Sequence, residues 1–295
     1  MHLSSEMVSP TVAGVSGLVA AAALGQSARH VRANANDRTL GNMAALGALV
    51  FALQMVNVAI PGTGSSGHFG GGVLLAMMLG PHAGLLVMAA VLAVQALLLG
   101  DGGVAALGAN LVNLGVVPCL VVAPLLARAT CGATPGRTLF GTVVACMLGL
   151  QLGALGVVAQ TAWSGTAAPA VLAASLLPIH LPVGFVEGLL TAAGVLALRN
   201  APAGAADQPL RTALSAVALV IAGVLVWFTS PLPDTLQWSL ARALSSTASA
   251  IVPAAWPRVD AATSVWGLAG VLATSVLIAA VARALRWRAL RKAAR

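Results

Sequence analysis

The sequence predicts an all-α polytopic membrane protein. Of its 295 residues, 59% are hydrophobic and only 7% are charged, whereas about 25% of residues are charged in a soluble domain. Apolar runs recur along the whole chain, and about 20 apolar residues suffice to cross a bilayer as a helix. Nucleic acid is excluded as a partner despite the net charge of +8, because the basic residues are dispersed between apolar runs and at the C-terminus.

The apolar runs mark the helices that we expect. Along the sequence there are nine, at residues 11–26, 40–60, 73–81, 84–100, 103–127, 139–163, 169–198, 212–230 and 264–285. The third run is short and would cross the membrane only if the crossing began within the glycine-rich stretch before it. We therefore expect about seven transmembrane helices up to residue 200 and two more in the C-terminal part.

Basic residues predict the orientation of these helices. Thirteen of the fifteen lysines and arginines fall in residues 29–38, 128–137, 199–211 and 283–295, on one side of the membrane if nine spans are correct. That side is expected to be the cytoplasm, because short cytoplasmic loops are rich in Lys and Arg. The N-terminus is then extracytoplasmic and the C-terminus cytoplasmic in a multi-pass cell membrane protein. A cleaved signal peptide is disfavoured for the first run, since Glu6 precedes it and Arg29 follows it.

A glycine-rich stretch, residues 61–72 (PGTGSSGHFGGG), lies between two apolar runs and contains His68. Irregular backbone at membrane depth is tolerated only where it is buried in protein or lines a cavity. The stretch is therefore a candidate binding site with His68 as its strong ligand. The alternative is a flexible connecting loop with a solvated imidazole.

The chain begins with Met1 and His2. A retained N-terminus of this kind offers a free amine, a backbone amide and an imidazole on one short peptide. Together with His68 these groups would give four nitrogens around one ion, and a square-planar nitrogen set suits Ni(II) or Cu(II). A disordered terminus is the alternative. The cysteines, by contrast, have no metal-ligand spacing and are expected to be inert: Cys119, Cys131 and Cys146.

Several motifs taken together resemble one family. They are Met1-His2, Ser66-Gly67-His68, residues 79–84 (LGPHAG), 100–103 (GDGG) and 106–110 (ALGAN) with Asn113, and His180 with residues 184–188 (GFVEG). This set resembles the CbiM/NikM family, the substrate-binding (S) component of energy-coupling factor (ECF) transporters for nickel and cobalt, over about the first 200 residues. The resemblance implies an ECF S-component core whose metal ligands are the Met1 amine, the His2 amide and imidazole, and His68. Family members usually begin Met-His-Ile-Pro, and Leu3-Ser4 stand here instead.

The resemblance also implies partners. A transmembrane coupling (T) subunit and two ATP-binding cassette subunits would supply the energy, and the membrane lipid would surround the chain. The glycine-rich stretch lacks the lysine of a phosphate-binding loop, so we expect a transporter subunit that is not an enzyme and holds no permanent cofactor. The transported ion would be Ni²⁺ or Co²⁺. A deprotonated amide in a square-planar set slightly favours nickel.

Polar residues inside apolar runs are further candidates. Asn110 and Asn113 share a helix face, where they would either orient the metal-binding histidines or pack between helices. Glu187 and the nearby His180 would form a site where the metal enters, a proton-coupled switch or a structural hydrogen bond, and the structural role is favoured. Four small residues on the first helix form a stripe that either packs within the chain or docks on the coupling subunit: Ala13, Gly17, Ala21 and Gly25.

The C-terminal part is predicted to be a fused second unit. We expect a metal-binding membrane domain at residues 1–200, a cytoplasmic linker at 201–211 and a two-span auxiliary unit at 212–295 with an extracytoplasmic loop. Residues 233–238 (PDTLQW) resemble the PDGLEW motif of the small auxiliary subunit of the same transporters, with two departures. By that resemblance the unit would help to load the metal or move the N-terminal segment over the site. The basic C-terminus would bind the anionic inner leaflet.

A different class of protein fits one short motif. Residues 64–67 (GSSG) match the GxSG pattern of rhomboid-like intramembrane serine proteases. Ser66 would then be the nucleophile and His180 the base. Glycine and serine are common in such loops, so this interpretation is the weaker alternative.

Overall fold

A computed structural model describes residues 1–34, 36–130, 134–199, 207–245 and 261–293. The α-helices are α1 (Pro10–Asn34), α2 (Asp37–Gln54), α3 (Gly72–Leu79), α4 (Pro81–Val94), α5 (Leu107–Leu111), α6 (Ala123–Thr130), α7 (Pro135–Ser164), α8 (Pro169–Arg199), α9 (Asp207–Gly223), α10 (Thr235–Ser245) and α11 (Ala261–Ala293). Wider π-helical turns extend α4 through Gln95–Leu99 and join α5 to α6 through Val112–Val122. Two short strands, β1 (Val58–Ile60) and β2 (Ser65–Gly67), form a hairpin, and 3₁₀ turns cover Ser5–Met7 and Leu225–Phe228.

Six described helical segments are long and apolar enough to cross a membrane: Pro10–Asn34, Pro81–Leu99, Leu107–Ala127, Pro135–Ser164, Pro169–Ala197 and Ala262–Trp287. Each of them coincides with a predicted apolar run. The all-α polytopic fold is therefore confirmed. The predicted runs at 40–60 and 212–230 contain the shorter helices α2 and α9.

Both shorter helices end before their apolar runs do. α2 ends at Gln54 because the remaining residues, which are rich in valine and isoleucine, enter strand β1. α9 ends at Gly223, and the chain then turns so that the Ser230 amide donates to the Asn57 carbonyl at 2.8 Å. The helices predicted at these two places were therefore too long at their C-terminal ends, since hydrophobicity alone does not separate a helix from a strand or a turn.

The short third run does not cross the membrane as a helix. α3 has eight residues and so spans only about 12 Å. Before it, Gln54 Nε2 donates to the Gly70 carbonyl at 2.7 Å, at the C-terminal end of α2. After it, the His82 ring lies 4.1 Å from the His30 ring near the C-terminal end of α1. The chain thus passes between the two ends of the bundle from Gly70 to His82, beginning within the glycine-rich stretch; we call these the His68 end and the His82 end.

The C-terminal helices pack against the N-terminal bundle through α2. α2 lies between α9 and α11, while α7 packs along α8. The packing of α2 on α11 depends on glycines at close approaches: a Cβ added at Gly270 would collide with the Phe51 ring, and one added at Gly47 would collide with Ile278. The connection after α9 contains α10, which packs on α8, and it returns the chain to the His68 end.

Candidate metal centre

The N-terminal segment, Met1 to Leu3, is built into the His68 end of the bundle. Met1 is 3% exposed and Leu3 is fully buried. Asn110 holds the Leu3 backbone on both sides: its Oδ1 accepts from the Leu3 amide at 2.8 Å, and its Nδ2 donates to the Leu3 carbonyl at 3.0 Å. The Gly103 amide donates to the same carbonyl at 2.9 Å. The first two residues are therefore fixed inside the protein.

His68 faces the amino terminus. Its Nδ1 donates to the Phe69 carbonyl at 3.0 Å, so the proton is on Nδ1 and the lone pair is on Nε2. That Nε2 lies 2.9 Å from the Met1 amino nitrogen. Two nitrogens in neighbouring positions of a square-planar site, each about 2 Å from the ion, are about 2.8 Å apart. Burial, reinforced by the positive N-terminus, lowers the pKa of His68 to about 4, which keeps the imidazole neutral and able to bind a metal.

Glu187 fixes the loop that carries His68. Its Oε2 accepts from the Gly70 amide at 2.7 Å, and its Oε1 accepts from the Gly71 amide at 3.0 Å. A Cβ added at Gly70 would lie 2.9 Å from Glu187 Oε2, so only glycine lets the backbone approach the carboxylate this closely. Of the three roles predicted for Glu187, this arrangement matches the structural hydrogen bond.

His2 lies against His68 and is held by Asp101. The two imidazole rings stack with their centroids 5.1 Å apart. His2 Nδ1 donates to Asp101 Oδ1 at 2.9 Å, whereas the buried His2 Nε2 has no hydrogen-bond partner. Burial alone would raise the pKa of Asp101, but His2 and the neighbouring charges outweigh it and the pKa is lowered. Asp101 therefore orients the ring as an ionised carboxylate.

Asp234 brings the C-terminal unit into the same site. Its Oδ2 accepts from the Met1 amino group at 3.2 Å, and its Oδ1 lies 3.9 Å from His68 Nε2. The main chain here is fastened to strand β2, because the Ser66 amide donates to the Pro233 carbonyl at 2.8 Å. Burial opposes ionisation of Asp234, but the positive N-terminus and the neighbouring histidines together outweigh burial and hold its pKa well below the usual range.

Sequence reasoning did not include Asp101 and Asp234 among the site residues. Each lies in a motif that was noticed, the GDGG and PDTLQW stretches. Both are acidic residues in segments that are expected to lie outside the membrane, at the same end as His68, and this could have indicated them. Sequence spacing does not connect them to the N-terminus, because Asp234 is 233 residues from Met1 and Asp101 is 99 residues from His2.

Asn113 does not touch the histidines, contrary to the predicted supporting role. It exchanges two hydrogen bonds with Gln160 of α7, at 2.8 and 3.2 Å. Only Asn110 reaches the N-terminal segment, and it does so through the Leu3 backbone. The two asparagines are three positions apart but meet different neighbours, so Asn113 packs between helices.

Ser66 and His180 are each engaged with main-chain carbonyls. The Ser66 hydroxyl donates to the Leu232 and Pro233 carbonyls at 2.9 and 3.2 Å, and His180 Nδ1 donates to the Leu176 carbonyl at 2.8 Å. His180 lines a narrow cleft together with Met1 and His68. In the part of the chain that the structure describes, Ser66 and His180 share no hydrogen bond, so they are not arranged as a nucleophile and its base.

Side chains alone do not form a metal site here. Within the described ranges, no three His, Cys, Asp or Glu side chains are grouped so that they could hold an ion. The group that faces His68 Nε2 is instead the main-chain amine of Met1. Cys119 and Cys146 are buried free thiols, and Cys131 lies outside the described residues.

Only part of the small-residue stripe of α1 packs within the chain. Gly17 packs within the chain, since a Cβ added at Gly108 of α5 would lie 2.6 Å from the Gly17 Cα. Ala13 is partly buried, whereas Ala21 and Gly25 are exposed. The half of the stripe nearer the His82 end is open to a neighbour.

The chain is thus a polytopic helical membrane protein whose amino terminus is buried at one end of the bundle and faces a histidine. The chain belongs to the CbiM family, described as the cobalt uptake substrate-specific transmembrane region, whose family model matches residues 2–203. His68 lies within the matched region, as do the contacts of Asn110 with Leu3 and of Glu187 with Gly70 and Gly71.

Individual relatives agree with this family. A protein of Haloquadratum walsbyi with a metal transport name is 35% identical over 195 residues, which is 65% of this chain and 87% of the relative. The fused nickel transport protein NikMN of Rhodobacter capsulatus is 33% identical over 52% of this chain, and the cobalt transport protein CbiM of Sorangium cellulosum is 32% identical over 52%. The matches cover 45% and 70% of those two relatives, so the similarity spans less than half of the fused protein.

Solved structures show the same architecture. The crystal structure of a truncated transition metal transporter matches with a TM-score of 0.60 and 27% identity, over 68% of this chain and 98% of that one. A second transition metal transporter matches with a TM-score of 0.59 and 26% identity, over 68% of this chain and 92% of its own.

Proposed function

We propose that this chain is the substrate-capture subunit of an ATP-driven ECF importer for Ni²⁺ or Co²⁺. The observation that carries the proposal is the 2.9 Å separation between the Met1 amine and His68 Nε2, at a buried position where both groups are oriented by other residues. The family of cobalt-uptake regions and the metal transport names of the relatives support the same assignment.

The ion is held by the Met1 amine, the His2 amide and imidazole, and His68. Met1 and His68 already have the spacing of neighbouring ligands. Asp234 accepts a hydrogen bond from the Met1 amine, and Asp101 accepts one from His2 Nδ1. Binding therefore exchanges these two hydrogen bonds for bonds to the ion. Because amine and amide nitrogens must lose protons to coordinate a metal, binding releases protons and weakens in acid.

Nickel is slightly favoured over cobalt. A deprotonated amide in a planar nitrogen set suits Ni(II), and the relatives include proteins named for each metal. The geometry at His2 decides between nickel and cobalt, because the imidazole must turn one ring nitrogen toward an ion bound by Met1 and His68.

Partner subunits supply the energy. A T subunit and two ATP-binding cassette subunits would complete the importer, and this chain binds and delivers the ion without hydrolysing ATP. The exposed Ala21 and Gly25 on α1 allow another helix to approach closely, and we assign that surface to the T subunit.

The basic residues support an orientation of the chain in the membrane. The His82 end faces the cytoplasm, so the N-terminus and the metal site face outward in the cell membrane while the C-terminus is cytoplasmic. Residues 1–200 form the metal-binding domain and 212–295 the auxiliary unit; residues 201–206 of the connecting linker (201–211) lie outside the described residues. Asp234 is the contribution of the auxiliary unit to the site.

The test is metal binding by purified protein with its tag at the C-terminus. One variant carries a single glutamine inserted between Met1 and His2, a residue bulky enough for the initiator methionine to be retained, which shifts the amine without deleting any ligand. A control carries the same glutamine before the C-terminal tag. We expect the first insertion to abolish tight nickel and cobalt binding in a competition titration and the control to bind like the native protein. Equal binding by all three proteins would contradict the proposed ligand set.

A further inference from the structure

A large cavity lies beside the candidate metal centre. Its volume is about 620 Å³, and it is enclosed by the N-terminal segment, the residues after α4, the residues before α10 and the start of α11. Its walls therefore come from both predicted units. The polar lining includes His2, His68, Asn57, Asp101, Asp234 and Gln237.

Two acidic side chains line this cavity, and one of them, Asp234, also contacts the positive Met1 amine. Asp101 and Asp234 both line it, and no lysine or arginine is among the described residues of its wall. A cavity of this kind concentrates cations, because low-dielectric walls focus the field of like charges. Both carboxylates are partly enclosed, with 29% of the Asp101 side chain and 12% of the Asp234 side chain exposed.

A second feature of the cavity also indicates a ligand. The His2 side chain is only 4% exposed, yet its Nε2 has no hydrogen-bond partner. Leaving a buried polar atom unpaired is unfavourable. His2 borders this cavity, so the unpaired nitrogen belongs to a side chain of the cavity wall.

We propose that the cavity is a vestibule in which a hydrated divalent cation binds Asp101 and Asp234 before it reaches the nitrogen ligands. The inference rests on the proposed function and adds the route by which the ion is loaded. A cation with six waters needs roughly 200 Å³, at about 30 Å³ per water, so the vestibule admits it with its hydration shell intact.

The carboxylates are suitable first ligands for such an ion. Oxygen ligands suit hard, hydrated cations, whereas the nitrogens suit the final nickel or cobalt site. Each carboxylate is one hydrogen bond away from a proposed ligand: Asp234 from the Met1 amine at 3.2 Å and Asp101 from His2 Nδ1 at 2.9 Å. An ion on the carboxylates therefore stands next to the nitrogens that replace its waters. One carboxylate comes from each unit, which gives the C-terminal unit a direct part in loading.

The experiment measures the rate of Ni²⁺ association by stopped flow on the intact protein, at several ionic strengths. Asp101→Asn and Asp234→Asn keep the shape and remove the charge. We expect each change to slow association about 10-fold and to flatten its dependence on salt, because steering by a charged cleft is worth about 10-fold or more. Asp101→Glu should restore much of the rate and the salt dependence.

The control is Glu6→Gln, which removes an exposed carboxylate from the same end of the molecule but outside the cavity. It should associate at the native rate. If the two Asn variants bind Ni²⁺ as fast as the native protein, or differ only by releasing it faster, the vestibule proposal is wrong. The proposed function is not affected by that outcome. If the native protein itself binds neither nickel nor cobalt tightly, the proposed function fails and the vestibule with it.

Discussion

His68 Nε2 lies 2.9 Å from the Met1 amino nitrogen, although 67 residues separate the two in sequence. The contact is maintained by residues that bind no metal in our proposal. Asn110 holds the N-terminal segment through Leu3, and Glu187 holds the loop of His68 through Gly70 and Gly71. The positions of the proposed ligands Met1 and His68 thus depend on these holding residues, so metal affinity should depend on them as well as on the ligands.

Asn110 gives the first prediction. Asn110→Leu removes both hydrogen bonds to Leu3 and leaves the buried backbone of that residue without these partners. We expect nickel affinity to fall about 10- to 100-fold, the usual effect of losing a group that orients metal ligands. A competition titration measures it. Asn113→Leu is the matched control, since Asn113 bonds Gln160 instead, and it should change affinity by less than about 3-fold. Equal losses in both variants would contradict the assigned role of Asn110.

Glu187 gives the second prediction. In Glu187→Gln, one of the two amides of Gly70 and Gly71 faces an NH₂ group instead of an acceptor. We expect the free energy of unfolding to fall by about 1 to 3 kcal/mol and metal affinity to fall with it, because the loop of His68 is released. Thermal unfolding in detergent and a metal titration measure the two effects. Ser175→Ala on the same helix removes a hydroxyl that bonds only within α8, and it should leave metal affinity unchanged.

The pKa of His68 predicts how the metal-free protein responds to acid. Burial lowers that pKa to about 4, whereas a histidine in the unfolded chain titrates near 6.5. Between these values the unfolded chain binds more protons than the folded one, so stability falls as the pH drops from 6.5 to 4, by up to about 3 kcal/mol. Asp101 and Asp234 have lowered pKa values, so their contributions are lost only at lower pH, below the range of an unfolded carboxylate. Thermal unfolding of metal-free protein should show that His68→Gln removes much of the slope between pH 6.5 and 4; an unchanged slope would exclude His68 as its source.

Much of the fold could be predicted from the sequence because hydrophobic length is a local property. The six long spans follow from it directly. The end of α2 could not be predicted in this way, because residues 55–60 are as apolar as a helix but pair as strand β1 with β2. The sequence predicted the crossing from Gly70 to His82 only if it begins within the glycine-rich stretch. Its path depends on hydrogen bonds to Gln54 and Glu187, which lie in other segments of the chain.

The candidate site could be predicted only in part. Met1, His2 and His68 were identified by their chemistry and by the family resemblance. Asn113 was grouped with Asn110 because three-residue spacing puts both on one helix face, but spacing does not say that Gln160 is opposite one and Leu3 opposite the other. Asp234 could not be connected to the amino terminus, because only the pairing of its segment with Ser66 brings it there.

The glycine-rich stretch gives the last prediction through two glycines with the same backbone strain but different surroundings. Gly71 has φ of 81° and Gly62 has φ of 77°, a region that is unfavourable to an alanine by about 1 to 2 kcal/mol. A Cβ at Gly71 would also lie 2.6 Å from Val50 Cγ1, whereas one at Gly62 would meet nothing within 4 Å.

Gly62→Ala should therefore lower the free energy of unfolding only by the cost of the strained backbone, and metal affinity should stay native. Gly71→Ala should lower stability further, because Val50 in α2 or the loop must shift. Since the Gly71 amide is one of the two held by Glu187, that shift moves His68 relative to Met1, and nickel affinity should fall at least 10-fold. Thermal unfolding of the two variants measures the backbone strain, and nickel titration of the same variants measures the displacement of the His68 ligand. Native nickel affinity in Gly71→Ala would mean that the position of His68 does not depend on the Glu187 contact.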